Sequence, residues 1–88
     1  MRAPEEVYSQ VADLQIDVLH GGADVDLYNA VLDACQLVFQ APAVARQRST
    51  AITTEQGVRL RLPVAGHAPY KVFWATDPPR IEAVFPHP

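Results

Sequence analysis

Four side chains in the C-terminal half of the sequence could together hold a phosphate group and move a proton. Arg59 and Arg61 are two residues apart in the alternating run GVRLRLP. Because successive side chains of a strand point to opposite faces, both arginines are expected on the same face. A guanidinium group can bind phosphate through two parallel hydrogen bonds. Lys71 joins them if the register of the next strand allows it, and the imidazole of His87 is suited to proton transfer near neutral pH.

Other side chains are candidates for contacts with a nucleic acid. Arg46, Arg48 and Arg80 would add positive charge, and Tyr70 could stack on a base, as could Trp74.

Each of these assignments has a simpler alternative. Alternating arginines also mark the solvent-exposed face of a half-buried strand. His87, near the end of the sequence, is also typical of a frayed surface residue. Tyr70 and Trp74 are also typical of a small core and its boundary.

The remaining reactive side chains indicate no metal or cofactor. Cys35 lies at helical spacing within an apolar stripe, which predicts a core position. His20 and His67 lie beside glycines in expected turns, and neither has a second ligand at metal-binding spacing. The sequence contains neither a phosphate-binding loop nor a dinucleotide-binding fingerprint. We therefore predict no metal site and no cofactor.

The stretch from Gly57 to the end of the sequence predicts a three-stranded antiparallel meander. Its first run places Val58, Leu60, Leu62 and Val64 on one face. The middle run, residues 70–76, is apolar on both faces, as expected of a central strand. Strict alternation in the third run predicts Ile81, Ala83 and Phe85 on one face and Glu82 and Val84 on the other. Residues 50–54 are rich in β-branched side chains and could form a further edge strand.

The N-terminal half predicts two amphipathic helices. The first starts at Pro4, Glu5 and Glu6, carries an apolar stripe, and ends at Gly21-Gly22. That stripe is Val7, Val11, Leu14 and Val18, and it is widened by Tyr8, Ala12 and Leu19. Apolar and polar side chains also alternate over residues 14–18, so a short strand over residues 14–19 is an alternative to helix there.

The second helix is expected to begin after Asp24, whose carboxylate can cap its first turn. Its apolar stripe is Leu27, Val31, Ala34 and Val38, and it should stop before Pro42. Residues 43–49 are expected to be a short link. Together these elements predict one α+β domain over residues 1–88, an N-terminal helical hairpin packed on a small antiparallel β-sheet of three to four strands.

Charge is distributed unequally along the chain. The net charge is −3, yet residues 1–45 contain seven acids and one base, whereas residues 46–88 contain six bases and three acids. A polyanion responds to the local field, so the basic half could bind one despite the negative total. No run reaches the roughly 20 apolar residues needed to cross a bilayer, and the N-terminus does not have the pattern of a signal peptide. These features predict a cytoplasmic protein.

Three short motifs resemble the RelE/ParE-like toxin superfamily of bacterial toxin–antitoxin systems. The run Gly57-Val58-Arg59-Leu60-Arg61-Leu62 looks like the glycine and Arg-x-Arg strand of that family. The run Tyr70-Lys71-Val72-Phe73-Trp74 looks like its Tyr-Arg-Val-x-Tyr strand, and a histidine follows the last strand, as in many members. The chain departs from the family in its acidic balance, in the prolines that flank His87, and in lacking an obvious strand before the first helix.

The resemblance implies a toxin that cuts mRNA at the ribosome without a metal. The catalytic residues that it implies are Arg59, Arg61, Lys71 and His87. The residues that it implies for binding the nucleic acid are Arg46, Arg48, Tyr70 and Arg80. It equally implies an alternative, a non-enzymatic inhibitor of DNA gyrase like the ParE members, or a catalytically inactive protein-binding module. In either active form the expected partner is a cognate antitoxin protein. A homo-oligomer is a further possibility, because exposed sheet edges need protection.

Overall fold

A four-stranded antiparallel sheet occupies the C-terminal half of the protein. The structure, a computed structural model, describes residues 7–88. The strands are β1 (Thr50–Thr54), β2 (Gly57–Pro63), β3 (Tyr70–Ala75) and β4 (Arg80–Pro86), and they pair in sequence order. The predicted meander is confirmed, and residues 50–54 are its fourth, edge strand.

Within residues 7–88, three helices precede the sheet and pack on one of its faces. They are α1 (Gln10–His20), α2 (Val25–Gln40) and α3 (Pro42–Arg48). The buried cluster between helices and sheet includes Val31 and Val38 from α2 and Val72, Trp74 and Ile81 from the sheet. The predicted α+β class, with a helical hairpin on a small sheet, is confirmed. In the part of the chain that the structure describes, no helix is long and apolar enough to span a membrane.

The predicted apolar stripe of the first helix is wrong for Val11, Leu14 and Val18 and is confirmed for Ala12 and Leu19, two of the residues expected to widen it. Val11, Leu14 and Val18 are 54, 66 and 74% exposed, whereas Ala12 is fully buried. The cause lies in polar contacts with β4, where the Ser9 N–H donates to the Ile81 carbonyl at 2.9 Å and the Val84 N–H donates to Gln15 Oε1 at 2.6 Å. These bonds turn the neighbouring stripe of Ala12, Ile16 and Leu19 toward the core.

Two further predictions concern the start of α1 and the strand alternative over residues 14–19. The start predicted at Pro4 and Glu5 lies outside the described residues, and Ser9 caps α1 by accepting the Ala12 N–H at 3.0 Å. Residues 14–19 are helical, so the strand alternative is wrong.

The second helix matches its prediction, but the link that follows it does not. Leu27, Val31, Ala34 and Val38 are all buried along α2, which ends at Gln40. Residues 43–49 do not form an extended link, because Pro42 begins the short helix α3. Proline is tolerated in a first helical turn, where its missing N–H has no intrahelical acceptor.

Asp24 caps α2, and the cap should be measurable in stability. Its Oδ1 accepts the Leu27 N–H at 3.0 Å, which satisfies one donor of the first turn. We expect Asp24→Ala to lower the free energy of unfolding by about 1 kcal/mol in urea titrations. Asp24→Asn keeps an oxygen acceptor and should lie within a few tenths of a kcal/mol of the wild type. Equal losses for the two variants would contradict a capping role.

Strand β4 contains a bulge that changes which side chains share a face. Phe73 pairs with Ala83, but Trp74 pairs with Ile81, so Glu82 is an additional residue on β4. Ile81 and Val84 therefore both lie in the helix-covered core, and Ala83 lies on the opposite face. The prediction that Ile81, Ala83 and Phe85 share one face is wrong, because simple alternation does not anticipate a bulge.

Candidate functional site: the open face of the sheet

The strand register brings the predicted basic residues to the sheet face that lies opposite the helices. Arg59 pairs with Ile52, Arg61 with Phe73, and Lys71 with Phe85. Their neighbours Leu60, Leu62, Val72 and Trp74 point to the helical side. We call the opposite surface the open face. It comprises Ile52, Arg59, Arg61, Lys71, Phe73, Arg80, Glu82, Ala83, Phe85 and His87.

His87 is held beside Arg61 and Lys71 and is not frayed. Arg61 Nη1 lies 3.2 Å from His87 Nδ1, and Lys71 Nζ donates to the His87 carbonyl at 3.0 Å. The His87 N–H donates to the Pro69 carbonyl at 2.9 Å. Because a guanidinium can only donate, Nδ1 must carry the lone pair in this contact, which leaves Nε2–H as the free donor of the neutral ring.

Two phenylalanine rings form an apolar floor next to these cations. Phe73 and Phe85 are stacked, with ring centroids 4.6 Å apart and planes 7° from parallel. The His87 ring meets both edge-on, at 5.3 Å from Phe73 and 6.0 Å from Phe85. Neither phenylalanine is among the site residues predicted from the sequence. The spacing of two residues between Phe85 and His87 could have predicted a place for Phe85 at the site, because it sets both on the same face of a strand.

Glu82 divides the cations of the open face into two groups. At the bulge, Glu82 Oε2 lies 3.9 Å from Arg59 Nε and 3.5 Å from Arg80 Nη1. Among the described residues, no carboxylate lies within 4.0 Å of Arg61 or Lys71. An incoming anion would therefore be held chiefly by Arg61 and Lys71, whose charges the described acids leave uncompensated.

A shallow groove of about 450 Å³ runs across this face. Its lining combines charged and aromatic side chains, among them Ile52, Arg59, Phe73, Glu82, Phe85 and His87. The charges of Arg59 and Glu82 in this lining are paired with each other, and Arg61 and Lys71 are not among the lining residues, so these two cations lie beside the groove. An aromatic floor next to exposed cations is the kind of surface on which single-stranded nucleic acids bind.

Three of the predicted nucleic-acid contacts lie elsewhere. Arg46 and Arg48 are exposed on α3, in the helical layer. Tyr70 packs against the helix-covered core, because it alternates in phase with Val72 and Trp74. Of the four residues predicted to bind nucleic acid, only Arg80 reaches the open face, where its charge is paired with Glu82.

Trp74 is a core residue and is not available to stack on a base. Its side chain is fully buried, and its indole N–H donates to Ser49 Oγ at 3.1 Å.

Cys35 is placed in the core between the helices and is not arranged as a nucleophile. Burial raises the pKa of its thiol from 9.0 to about 12, against a smaller lowering by a hydrogen bond with Tyr8. A thiol in this state carries almost no thiolate at neutral pH, and the thiolate is the reactive form. We expect the native protein to react with a small disulfide reagent far more slowly than the urea-unfolded chain does.

The raised pKa of Cys35 also predicts a pH dependence of stability. Above about pH 9 the unfolded chain releases the thiol proton that the folded protein still holds. Stability should therefore fall as pH rises from 9 toward 12, by up to about 1.4 kcal/mol per pH unit from this group. Cys35→Ala removes the group, so its unfolding free energy should decline less steeply over the same range. Equal slopes in the two proteins would contradict the assignment.

Protein-family models, curated proteins and solved structures yielded no match to this chain. Within residues 7–88, no group of three His, Cys, Asp or Glu side chains comes together as metal ligands would.

Proposed function

We propose that the protein is a toxin-like protein of the RelE/ParE-like class whose open face binds the phosphate backbone of messenger RNA at the ribosome and promotes its cleavage. The observation that carries the proposal is the convergence of Arg61, Lys71 and His87 beside a stacked pair of phenylalanines. The order of a helical hairpin, a short third helix and an antiparallel meander is also close to the helix, helix, meander order of the class that the strand motifs resemble.

The donors that remain unused on this face suit a phosphodiester. Arg61 donates from Nε to Thr50 Oγ1 at 3.2 Å and from Nη1 to His87 Nδ1. Three of its five N–H groups therefore have no acceptor among the described residues. Lys71 donates to the Pro69 and His87 carbonyls at 3.1 and 3.0 Å, which leaves one ammonium hydrogen. The His87 Nε2–H adds a fifth donor. These groups could hold the non-bridging oxygens and the charge that grows on them during cleavage.

Cleavage requires attack of the ribose 2′-hydroxyl on the adjacent phosphorus, which forms a 2′,3′-cyclic phosphate as the bond from phosphorus to the 5′-oxygen breaks. The hydroxyl needs a proton acceptor, and the leaving 5′-oxygen needs a proton, which water or the Lys71 ammonium can supply. In the protein alone, the Nδ1 lone pair of His87 is occupied by Arg61. A phosphate that draws the Arg61 guanidinium toward itself would free Nδ1 to take the proton. In this proposal, substrate binding and activation of the base are the same event.

The direct test is a translating extract supplied with the purified protein. We expect cuts in ribosome-bound message, mapped by primer extension, and no requirement for added metal. Intact message in the presence of folded protein would contradict the proposal.

One observation favours a second candidate, a non-enzymatic binder such as a gyrase inhibitor or a protein-binding module. If Arg61 stays hydrogen-bonded to His87 Nδ1, that nitrogen cannot accept a proton. The Glu82 carboxylate, the other candidate acceptor on the open face, is paired with Arg59 and Arg80. A supercoiling assay separates the candidates, since inhibition of DNA gyrase without RNA cleavage is expected only from the second. A protein that does neither, and does not arrest bacterial growth, would fit the protein-binding module.

For a toxin of either kind we propose a cytoplasmic location and a cognate antitoxin. The uncompensated charges of Arg61 and Lys71 suit an acidic segment of that partner, laid over the open face so that RNA is excluded. Binding of the partner should then weaken as ionic strength rises.

A further inference from the structure

The β4 edge of the sheet is covered by hydrogen bonds from other parts of the chain, whereas the β1 edge is not covered by any described residue. At the β4 edge, the N–H and hydroxyl of Ser9 donate to the carbonyls of Ile81 and Glu82, at 2.9 and 2.5 Å. The outward N–H of Val84 donates to the side chain of Gln15. The chain therefore uses its own groups to cover the β4 edge, which protects that edge from pairing with another strand.

The β1 edge has no such cover among the described residues. Thr54 and Gly57 close a two-residue hairpin loop, so they form a hydrogen-bonded pair, and Ile52 pairs with Arg59 in the same way. The N–H and C=O groups of Ala51 and Thr53 must then point outward, away from β2. No described residue bonds them, and both residues are exposed.

Strand β1 also lacks the features that normally block edge pairing. Its sequence, TAITT, contains no charge and no proline, and its register with β2 is free of bulges. The helical layer does not reach this side of the sheet, since Val58 on the adjoining strand is 61% exposed. An uncharged, accessible edge of this kind is a template for an added strand.

We propose that the added strand is β1 of a second copy of this protein, antiparallel to the first, around a two-fold axis at Ile52. This register sets Ala51 opposite Thr53 of the second copy, so the outward groups of both edges bond one another. Ile52 then faces its own counterpart in a non-hydrogen-bonded pair. Thr50 faces Thr54 of the second copy, and no like charges are opposed.

Self-pairing fits this edge for a second reason, the continuity of the open face. The two-fold axis stands perpendicular to the sheet, so both open faces lie on the same side of one eight-stranded sheet. Ile52 and Thr54 already line the groove together with Arg59. In the pair, the two Ile52 side chains would meet at the axis, with Thr54 and Arg59 of each copy on either side of it, and the two grooves would join into one longer surface. The pairing itself does not depend on what that surface binds.

Sedimentation equilibrium with two edge variants tests the pairing. The wild-type mass should rise from one chain toward two as concentration increases. Thr53→Pro removes an outward N–H while leaving the β1–β2 hydrogen bonds intact, so it should stay monomeric and folded. Thr53→Ala keeps the N–H and should associate like the wild type. A wild type that is monomeric at every concentration, or a Thr53→Pro variant that still associates, would overturn the proposal.

Cysteine cross-linking checks the register without relying on a proline variant. The proposed axis places the two Ile52 Cα atoms about 4.5 Å apart, within the range that a disulfide spans. Ile52→Cys should therefore oxidise to a covalent dimer. Thr53→Cys is the matched control, because its Cα lies about 8 Å from its counterpart, too far for a bridge. Cys35 is buried and does not compete. Equal cross-linking of the two variants, or none in either, would contradict this register.

Discussion

Replacing Arg61 and Lys71 together by alanine should abolish cleavage of ribosome-bound message and weaken binding of a short single-stranded RNA at least tenfold. Each side chain contributes charge-assisted hydrogen bonds to phosphate, and such bonds are worth about 1.5–3 kcal/mol each. Loss of two phosphate contacts should also lower the slope of log K against log salt by about 1.4. Both effects can be measured by fluorescence anisotropy over a salt series.

The chain contains a control with the same change in charge. Arg46→Ala with Arg48→Ala also removes two positive charges, but these arginines lie on α3, in the helical layer. RNA binding and cleavage by this control should stay close to those of the wild type. If both double variants lose affinity equally, the binding is a general effect of net charge, and the open face is not the site.

The second large effect concerns the core that supports the open face. Trp74→Ala should lower the free energy of unfolding by about 3–5 kcal/mol, because it removes a fully buried ring from the centre of β3. A chain of 88 residues has a total stability of roughly 4–13 kcal/mol, so this loss would remove between about a quarter and all of it. Urea unfolding followed by circular dichroism measures this directly.

Two milder variants separate packing from hydrogen bonding at Trp74. Ser49→Ala keeps the ring but leaves the indole N–H without its acceptor, which should cost about 1–3 kcal/mol. Trp74→Phe keeps most of the apolar volume and removes the donor, so its loss should be smaller than that of Trp74→Ala. A loss below about 1 kcal/mol for Trp74→Ala would contradict the central packing role.

The sequence was sufficient to predict the elements whose side chains follow a single simple period. The spacing of apolar residues predicts the stripe of α2 because one face of the helix packs on the core along its whole length, and the alternation of Arg59 and Arg61 places both on one face. Lys71 was expected to join them only if the register agreed. The register does agree, because the hairpin between β2 and β3 pairs Pro63 with Lys71.

Two of the errors, in α1 and in β4, have a different cause, because they depend on contacts between distant parts of the chain. The buried stripe of α1 is selected by hydrogen bonds from Ser9 and Gln15 to β4, which no local spacing reveals. The bulge at Glu82 shifts the faces of β4 by one residue and brings Arg59 and Arg80 to the same carboxylate. Tyr70 looked suitable for stacking, but its phase in β3 directs it to the helices.

The most direct test of the open face as an RNA-binding surface is nuclear magnetic resonance with a 2′-O-methyl RNA oligonucleotide, which cannot be cleaved. We expect the side-chain signals of Arg61 and Lys71 to shift on titration, and the ¹⁵N signals of the His87 ring to change as Nδ1 loses its contact with Arg61. Signals from α3, including those of Arg46 and Arg48, should remain in place. Shifts confined to the helical layer, or no shifts at all, would contradict the account.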